Sequence, residues 1–468
     1  MKTDEEIVLN VESLSGDGKT VARKDGMVYF LENAVPGDVV RARVWKRKKN
    51  YAEARAFEII TPSSLRVQPK CKHFGVCGGC RWQNLSYEAQ LKFKHQVVVD
   101  AFKRIGGFDQ VETRPVIGCE DRYLYRNKME FTFSRNRWLT EEEMLRKDEI
   151  REEVALGLHI PGRYDKVLNV EECWLQSETS TAILRSVREI CRVWELSVYS
   201  TKTHEGYLRH LMIRDGKSTG ELMVNLVTTH DLPDVMQKMT ELLVKHFPPI
   251  TTIVNNITER KSMVAFGDRE VCYHGPGFIT EKIGRYTFRI SANSFFQTNT
   301  AQAERLYETA TELANLSPGS VVYDLYSGTG TIAIVLSGAA ERVVGIEVVE
   351  SAIADAEKNV ELNRIPNCFF LLGDLKEKLT KDSSWLKEHP RPTVVVADPP
   401  RSGMHPKVIQ QIVKLSPERL VYVSCNPSTQ ARDAKDLTES GYALQLVQPV
   451  DMFPHTDHIE AVALFSRK

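Results

Sequence analysis

Cys425 closes an apolar run and opens a polar turn, in the stretch Leu-Val-Tyr-Val-Ser-Cys-Asn-Pro at 420–427. A short run of apolar, β-branched and aromatic residues that stops at a polar turn predicts a buried parallel strand. Ligands of open α/β sheets bind beyond the carboxyl ends of the strands. The sequence therefore predicts a thiol at the ligand-binding edge of a sheet, where its thiolate would be a strong nucleophile.

Three other places in the carboxyl-terminal half put polar residues next to a strand-like run. Two such runs end at Asp-Leu-Tyr-Ser-Gly-Thr-Gly (324–330) and at Asp-Pro-Pro-Arg (398–401), and Glu460 begins the last apolar run. Because parallel strands end at one edge of their sheet, we expect these places to converge with Cys425 on one site. A thiol and a carboxylate in one site suit nucleophilic attack followed by proton removal.

The glycine-containing turn predicts a nucleotide-binding loop. Gly328 and Gly330 let the backbone approach a ligand closely, and Glu347, at the end of the next strand, can accept the hydroxyls of a ribose. The turn also fits the looser Gly-x-Gly-x-x-Ala pattern, so an NAD(P)-dependent dehydrogenase is an alternative. The run from Asp398 to Arg401 resembles the substrate-facing motif of adenosylmethionine-dependent methyltransferases. That resemblance favours a methyltransferase, because a hydride-transfer site has no use for such a motif.

Three of the nine cysteines lie close together, as Cys71, Cys77 and Cys80. An odd and unevenly spaced set favours a reducing compartment and metal or catalytic cysteines over a disulfide framework. Three thiolates need a fourth ligand to close a tetrahedral set, and the spacing alone allows either zinc or an iron–sulfur cluster.

The carboxyl-terminal half alternates predicted strands and helices, which is typical of a doubly wound α/β sheet. The predicted strands are 321–325, 342–347, 368–372, 393–397, 420–424 and 460–466, and the predicted helices are 294–316, 331–338, 350–363 and 406–415.

The amino-terminal part has a different character. Residues 5–60 alternate apolar and polar side chains in short runs separated by turns, which predicts a small β-barrel. The segment 41–55 is basic, with Trp45 and Tyr51 interleaved, so it suits phosphate contacts and base stacking, although lysines that protect an edge strand would look the same. Residues 113–285 read as an α+β module, in which the charged stretch 140–153 predicts a solvated helix or loop.

The totals describe a multidomain globular protein. Its 468 residues exceed one ordinary core, 42% are hydrophobic and 26% are charged, and the formal net charge is zero. Any RNA binding must then use local basic patches. No targeting peptide or membrane-spanning run is visible, so we expect a cytoplasmic protein without a membrane partner. Nothing in the sequence demands a dimer, and we expect a monomer.

Taken together, the motifs resemble those of the RNA uracil-5-methyltransferases. Phe-Phe-Gln-Thr-Asn at 295–299, the glycine loop, Asp-Pro-Pro-Arg, Ser-Cys-Asn-Pro and His-Ile-Glu at 458–460 follow one another as in that family, over nearly the whole chain. The resemblance implies a class I adenosylmethionine-dependent fold and methylation of carbon 5 of a uridine. It implies these roles: Cys425 as nucleophile, Glu460 as base, Gln297, Tyr326, Glu347 and Asp398 as the S-adenosylmethionine site, and Arg401 with Asp398 as uracil contacts.

The amino-terminal segment resembles a TRAM domain, a small RNA-binding barrel. The ribosomal-RNA branch of the family shares the Cys-x5-Cys-Gly-Gly-Cys signature and carries a 4Fe–4S cluster. In that comparison Cys173 matches the fourth cysteine ligand, and Cys119 and Cys191 are weaker choices. The charged stretch 140–153 makes the interval between Cys80 and Cys173 longer than is usual in that branch. The resemblance thus favours 23S rRNA as substrate, with a tRNA uridine as the alternative. We expect Cys119, Cys191, Cys272 and Cys368 to be core residues.

These expectations divide the chain into a TRAM barrel (1–62), a central iron–sulfur and RNA-binding domain (63–289) and a catalytic domain (290–468), with 91–122 packing against the last. A protein that binds RNA without catalysis is the remaining alternative.

Overall fold

The computed structural model describes residues 5–16, 18–145, 154–379 and 385–468. Within these ranges no helix is long and apolar enough to cross a membrane. The described part of the charged stretch begins with a short helix, Glu141–Met144, which Thr140 caps through its side chain. The rest of that predicted solvated segment, 146–153, lies outside the described residues.

The amino-terminal strands close into a barrel, as the sequence predicts. They are β1 (Glu5–Leu14), β2 (Thr20–Lys24), β3 (Met27–Glu32), β4 (Val39–Arg47) and β5 (Tyr51–Thr61), in the order β1-β2-β3-β5-β4. Their buried positions alternate, so that Leu9, Leu31 and Val44 fill the interior. The basic side chains of β4 point outward and pair with acidic residues of β1 and β5: Arg41 with Glu58, Arg43 with Glu6, Lys46 with Glu53 and Arg47 with Glu5.

Helix α1 (Tyr87–Ala101) links the barrel to the rest of the chain. Ser86 caps it, and a π-helical turn, Phe102–Gly106, extends it. Buried side chains of this segment, such as Val98 and Phe102, belong to the core of the carboxyl-terminal sheet.

The central region is an eight-stranded mixed sheet covered by two helices. Its elements are β7 (Lys128–Ser134), β8 (Arg137–Trp138), α2 (Glu141–Met144), β9 (Ala155–Ile160), β10 (Arg163–Asn169), α3 (Glu178–Val193), β11 (Leu208–Asp215), β12 (Leu222–Thr228), α4 (Pro233–His246), β13 (Ile250–Ile257) and β14 (Arg269–His274). The strand order is β14-β13-β12-β11-β7-β9-β10-β8. The α+β prediction for this region is confirmed. A hairpin, β15 (Phe278–Ile283) and β16 (Tyr286–Ser291), leads into the last region.

The carboxyl-terminal region is a twisted sheet with helices on both faces. Its elements are α5 (Thr300–Ala314), β17 (Val321–Leu325), α6 (Thr331–Ser337), β18 (Arg342–Glu347), α7 (Glu350–Leu362), β19 (Cys368–Leu372), α8 (Leu375–Lys378), α9 (Trp385–Glu388), β20 (Val394–Ala397), α10 (Pro406–Leu415), β21 (Arg419–Ser424), α11 (Pro427–Glu439), β22 (Tyr442–Val450) and β23 (Glu460–Arg467). With β6 (Glu112–Thr113) the order is β19-β18-β17-β20-β21-β23-β22-β6.

Strands β17 to β21 are parallel, which confirms the α/β prediction. The sheet is not parallel throughout, because its final strand, β23, runs antiparallel to both β21 and β22. It inserts between them, so β21, which leads to Cys425, and the final strand are immediate neighbours.

One predicted boundary was wrong, and two elements were missed. The helix predicted from 294 begins at Thr300, because Asn299 caps it by accepting a hydrogen bond from Gln302 N–H. Helix α11 and strand β22 were missed. The Asn426–Pro427 pair is a helix-start signal that could have found α11, since Asn426 is the cap and proline fits the first helical turn.

Candidate active site

The paired strands β21 and β23 bring Cys425 next to Glu460. Ser424 pairs with Ala461 in the antiparallel register. Cys425, which follows Ser424, therefore lies next to Glu460, which precedes Ala461, at the same sheet edge. Cys425 is half-buried, whereas Glu460 is only 4% exposed. A thiol and a carboxyl group, far apart in sequence, therefore share one pocket.

Burial controls the protonation of both groups. It raises the pKa of the Cys425 thiol, with a further upward contribution from Glu460. Burial likewise raises the pKa of Glu460 well above the ordinary carboxyl value, and the nearby carboxyl group of Asp398 adds to this. The positive charge of the Arg401 guanidinium opposes these effects, because it lowers the pKa of both groups, but the net direction remains upward. The pocket thus places a thiol beside a carboxyl group, and the pKa of each is raised.

Arg401 is fixed from two sides. Its Nη2 lies 3.0 Å from Nδ1 of His458, and its backbone carbonyl accepts hydrogen bonds from Asn426 Nδ2 (3.0 Å) and Thr429 Oγ1 (3.2 Å). The turn that carries Cys425 therefore also holds the loop that carries Arg401.

A buried carboxylate supports the same loop from beneath. Asp433, on α11, accepts hydrogen bonds from Met404 N–H (2.8 Å) and the Tyr422 hydroxyl (2.7 Å). Its second oxygen accepts two from Arg432, which also donates to the carbonyl of Ser402. Sequence analysis missed Asp433, because its role depends on a helix that was not predicted.

The glycine turn lies between β17 and α6 and faces Glu347 at the end of β18. The Glu347 carboxylate accepts hydrogen bonds from the N–H groups of Gly328 (3.0 Å), Val348 (2.7 Å) and Val349 (2.9 Å). A side chain added at Gly328, which has a φ of +53°, would meet no atom within 4 Å, so the loop has open space in front of it. A side chain at Gly330 would collide with Phe370.

Two acidic side chains flank this loop, of which Asp398 is half-buried and Asp324 fully buried. Asp398 follows β20, and burial raises its pKa to about 7. Asp324, in β17, has its pKa raised well above the ordinary value, first by burial and then by Asp398. Neither carboxyl oxygen of Asp324 has a hydrogen-bond partner by distance and angle. Buried carboxyl groups without partners favour a cationic ligand over an anionic one.

The remaining predicted cofactor residues lie beside the same loop. Gln297 is 8% exposed, and its carbonyl accepts a hydrogen bond from Asn127 Nδ2 at 2.9 Å. The segment touches the glycine turn, where Thr329 Oγ1 donates to the carbonyl of Phe295. Tyr326 directly follows β17 with a φ of +65° and is half-buried.

The four predicted cysteine ligands line one small cavity, together with His73, Gln83 and Trp174 among others. Burial raises the pKa of Cys71 to about 11 and those of Cys77 and Cys80 to about 12, and it also raises the pKa of Cys173. Gly79 N–H and Gln83 Nε2 donate hydrogen bonds to Cys77 Sγ and Cys80 Sγ, at 3.4 and 3.3 Å. Among the described residues, no three His, Cys, Asp or Glu side chains lie close enough together to hold a single metal ion.

The other cysteines lie elsewhere. Cys119, Cys191 and Cys368 are buried, as expected of core residues, and none lines this cavity. The expectation for Cys272 was wrong: it is exposed, because it lies on β14, the edge strand of the central sheet.

The loop 451–459, between β22 and β23, holds residues that sequence analysis missed. The Lys94 ammonium group and Asp451 form a fully buried ion pair at 2.6 Å, and Lys94 also donates to the carbonyl of Phe453. A lysine within a helix gives no signal of such a partner, because the aspartate is far away in sequence.

The parallel strands, the glycine turn and the acidic residues at the strand ends define an α/β methyltransferase fold. A model for the tRNA (uracil-5-)-methyltransferase family matches residues 188–468, and a TRAM domain model matches residues 4–57. The chain belongs to the tRNA (uracil-5-)-methyltransferase family.

Relatives cover nearly the whole chain. An RNA methyltransferase of Chlorobaculum tepidum is 46% identical over 96% of this chain and 93% of its own length. An RNA methyltransferase of Porphyromonas gingivalis is 44% identical over 98% of this chain and 99% of its own length. Among solved structures, the Pyrococcus abyssi tRNA (uracil-54, C5)-methyltransferase in complex with S-adenosyl-L-homocysteine matches 98% of this chain and 100% of its own, with a TM-score of 0.74 and 30% identity.

Proposed function

We propose that the protein transfers a methyl group from S-adenosylmethionine to carbon 5 of a uridine in RNA. The observation that carries this proposal is the adjacency of Cys425 and Glu460, set by the pairing of Ser424 with Ala461. Carbon 5 of uracil is a poor nucleophile, so it needs a thiolate at carbon 6 and a base for the carbon-5 proton. This pocket offers one of each.

In the first step the Cys425 thiolate attacks carbon 6, and a sulfur–carbon bond forms while electron density moves onto carbon 5 and the neighbouring carbonyl. Arg401 favours the thiolate by its positive charge and holds the uracil with Asp398. The uridine must leave its base stack to reach this pocket.

S-adenosylmethionine supplies the methyl group, which carbon 5 accepts. Glu460 then removes the carbon-5 proton, the carbon 5–carbon 6 double bond re-forms, and the thiolate leaves. Burial strengthens Glu460 as a base, because a carboxylate with a raised pKa binds a proton more tightly.

The methyl-donor site fits the residues present. Gln297, Tyr326, Glu347 and Asp398 would line it, with Glu347 towards the ribose. S-adenosylmethionine carries a sulfonium and an ammonium group, which suit the unpaired carboxyl group of Asp324. The pyrophosphate of NAD(P) is anionic and would meet the same carboxyl groups unfavourably, so this observation argues against a dehydrogenase.

The RNA class is part of the proposal. The barrel combined with the four-cysteine cavity favours 23S rRNA, by resemblance to the ribosomal branch of the family. A tRNA uridine is the second candidate, favoured by the whole-chain match to the Pyrococcus abyssi tRNA enzyme. In either case a splayed-out uridine in a folded loop suits a buried pocket.

We propose that Cys71, Cys77, Cys80 and Cys173 hold a 4Fe–4S cluster, with zinc as the alternative. Four half-buried thiols around one cavity, with N–H groups directed at sulfur, fit such a cluster. We also propose the division at about 62 and 289, with 91–122 belonging structurally to the catalytic domain.

The decisive test is transfer of labelled methyl groups from S-adenosylmethionine to separate 23S rRNA and tRNA pools that lack native uridine methylation, followed by nucleoside analysis. 5-Methyluridine in rRNA alone supports the favoured substrate, and label in tRNA alone replaces it with the second. Cys425→Ala should abolish transfer while S-adenosylmethionine still binds. Cys272→Ala, an exposed cysteine outside the pocket, is the matched control. Label in neither pool, despite S-adenosylmethionine binding, would overturn the uridine proposal.

A further inference from the structure

Helix α1 holds the loop 451–459, which directly precedes Glu460. From α1, Tyr87 and Lys94 bind the Asp451 carboxylate at 2.9 and 2.6 Å. Gln90, on the same helix, accepts a hydrogen bond from His455 N–H at 2.9 Å, and its Nε2 lies 3.2 Å from His455 Nδ1. The residues that precede Glu460 are therefore fixed from outside their own sheet.

His455 lies at the centre of these contacts. It is 4% exposed and has a φ of +66°, a left-handed conformation that a non-glycine residue keeps only when its surroundings enforce it. Its carbonyl accepts hydrogen bonds from the N–H groups of Arg81 (2.9 Å) and Trp82 (3.1 Å), and its ring stacks on Tyr123 with centroids 4.4 Å apart.

Two of the cysteines that line the cavity are directly followed by residues that contact either His455 or the Tyr123 ring stacked on it. Cys80 is followed directly by Arg81 and Trp82, whose N–H groups bind the His455 carbonyl. Cys173 is followed directly by Trp174, whose ring makes an edge contact with Tyr123 at 6.0 Å.

Lys70 strengthens the second connection. It precedes Cys71, and its ammonium group lies 4.4 Å from the Tyr123 ring centroid and 5.1 Å from that of Trp174. The backbone of the Tyr123 segment is tied to the Cys173 segment as well, since Leu124 N–H donates to the Trp174 carbonyl at 2.8 Å. Movement of any of these cysteines would thus disturb the aromatic stack on His455.

We propose that the four-cysteine centre positions the loop 451–459, through Trp174, Tyr123 and His455, and thereby holds Glu460 against carbon 5 of the substrate. The part that concerns Glu460 rests on the proposed function. Tyr123, Trp174 and His455 are positioning residues, because none of them touches the reacting atoms. The centre then governs the last step of the reaction, release of the thiolate, more than the attack by Cys425.

The chemistry predicts a specific failure when this support is lost. Methyl transfer needs Cys425, whereas breaking the sulfur–carbon bond needs Glu460. A displaced Glu460 leaves the methylated RNA bound to Cys425 as a covalent adduct. Loss of the centre by oxidation would therefore stop the enzyme after methyl transfer rather than before it.

The first measurement needs neither RNA nor methyl donor. Hydrogen–deuterium exchange of residues 453–459 is compared between native protein, protein stripped of its metal centre, Trp174→Leu and Tyr123→Leu. We expect exchange about tenfold faster in all three altered proteins. Trp138→Leu, a half-buried tryptophan on β8 in the central sheet, is the matched control and should leave the loop protected. Unchanged protection in the stripped protein or in both aromatic variants would overturn the proposal.

The second measurement follows the adduct on denaturing gels with a substrate RNA. Trp174→Leu and Tyr123→Leu should form the methylated adduct at near-native rates and release it slowly, so that kcat falls while KM changes little. Metal content is measured on the same samples. Rapid release with a loosened loop would refute the link to Glu460. Faster exchange without any uridine methylation would refute the proposed function and leave the coupling between the centre and the loop intact.

Discussion

Arg401 and His458 form a hydrogen-bonded pair across the pocket, with Nη2 of the arginine 3.0 Å from Nδ1 of the histidine. Because a guanidinium only donates, Nδ1 must accept, and the imidazole must be neutral. The lowered pKa of His458 agrees with this, with burial as its main cause. The pair therefore leaves the positive charge on Arg401, beside Cys425 and Glu460.

Removing that charge should make Cys425 harder to ionise. Arg401→Ala should shift the pH dependence of Cys425 alkylation by iodoacetamide to higher pH, because Arg401 lowers the thiol pKa that burial raises. Arg401→Lys keeps a charge and should shift it less. Mass spectrometry of the Cys425 peptide separates this reaction from the exposed Cys272. Identical profiles for the three proteins would refute the electrostatic role.

Glu460→Gln should let the thiolate add and the methyl group transfer, and then trap the RNA on Cys425. The amide is isosteric but cannot take the carbon-5 proton. The adduct is scored on denaturing gels as a labelled protein–RNA band that Cys425→Ala removes. Free turnover by Glu460→Gln would exclude Glu460 as the base.

Asp324→Asn should weaken S-adenosylmethionine binding roughly tenfold, which is about 1.4 kcal/mol. The loss should be smaller for S-adenosylhomocysteine, which lacks the sulfonium charge. The same change should not lower stability, since it replaces a buried carboxyl group without a partner. Calorimetry with both ligands tests this, with the exposed Asp436→Asn as control. Equal losses for the two ligands would contradict an interaction of Asp324 with the sulfonium charge.

Lys94→Met should destabilise the protein by about 3–5 kcal/mol, because it leaves the Asp451 carboxylate buried without its partner. The double variant Lys94→Met/Asp451→Asn should recover part of this loss of stability, because it removes the buried charge that Lys94→Met leaves unpaired. Urea unfolding followed by tryptophan fluorescence measures both. The exposed pair Arg305–Glu308 serves for comparison, and its disruption should cost less than about 1 kcal/mol.

The contribution of two buried histidines to stability should fall as the pH decreases from about 6.5 towards 4. Burial lowers the pKa of His210 and of His455 to about 4, so below 6.5 these side chains bind protons in the unfolded chain but not in the folded one. Each histidine can contribute up to about 1.4 kcal/mol per pH unit in that window. Measured as the urea midpoint at each pH, His210→Gln should remove this loss from the native pH profile, whereas the exposed His246→Gln should leave the profile unchanged.

Sequence alone predicted the barrel, the parallel strands and the position of Cys425 directly after a buried strand, because each depends on local periodicity and on polar turns that end apolar runs. It could not predict that β23 inserts beside β21, since strand order depends on long-range pairing. The Lys94–Asp451 pair and the contacts of His455 were invisible for the same reason. Asp433 was missed because its helix was missed.

The strand arrangement also determines which changes of chain length the site can tolerate. Helix α11 and strand β22 lie between Cys425 and Glu460 in sequence, yet the pairing of β21 with β23 holds these two residues together. Residues could be added at the α11–β22 turn without separating the two groups. One residue deleted within β23 would instead turn every side chain of that strand to the opposite face of the sheet. Evolution is therefore free to lengthen the connection, but not to shift the final strand by a single step.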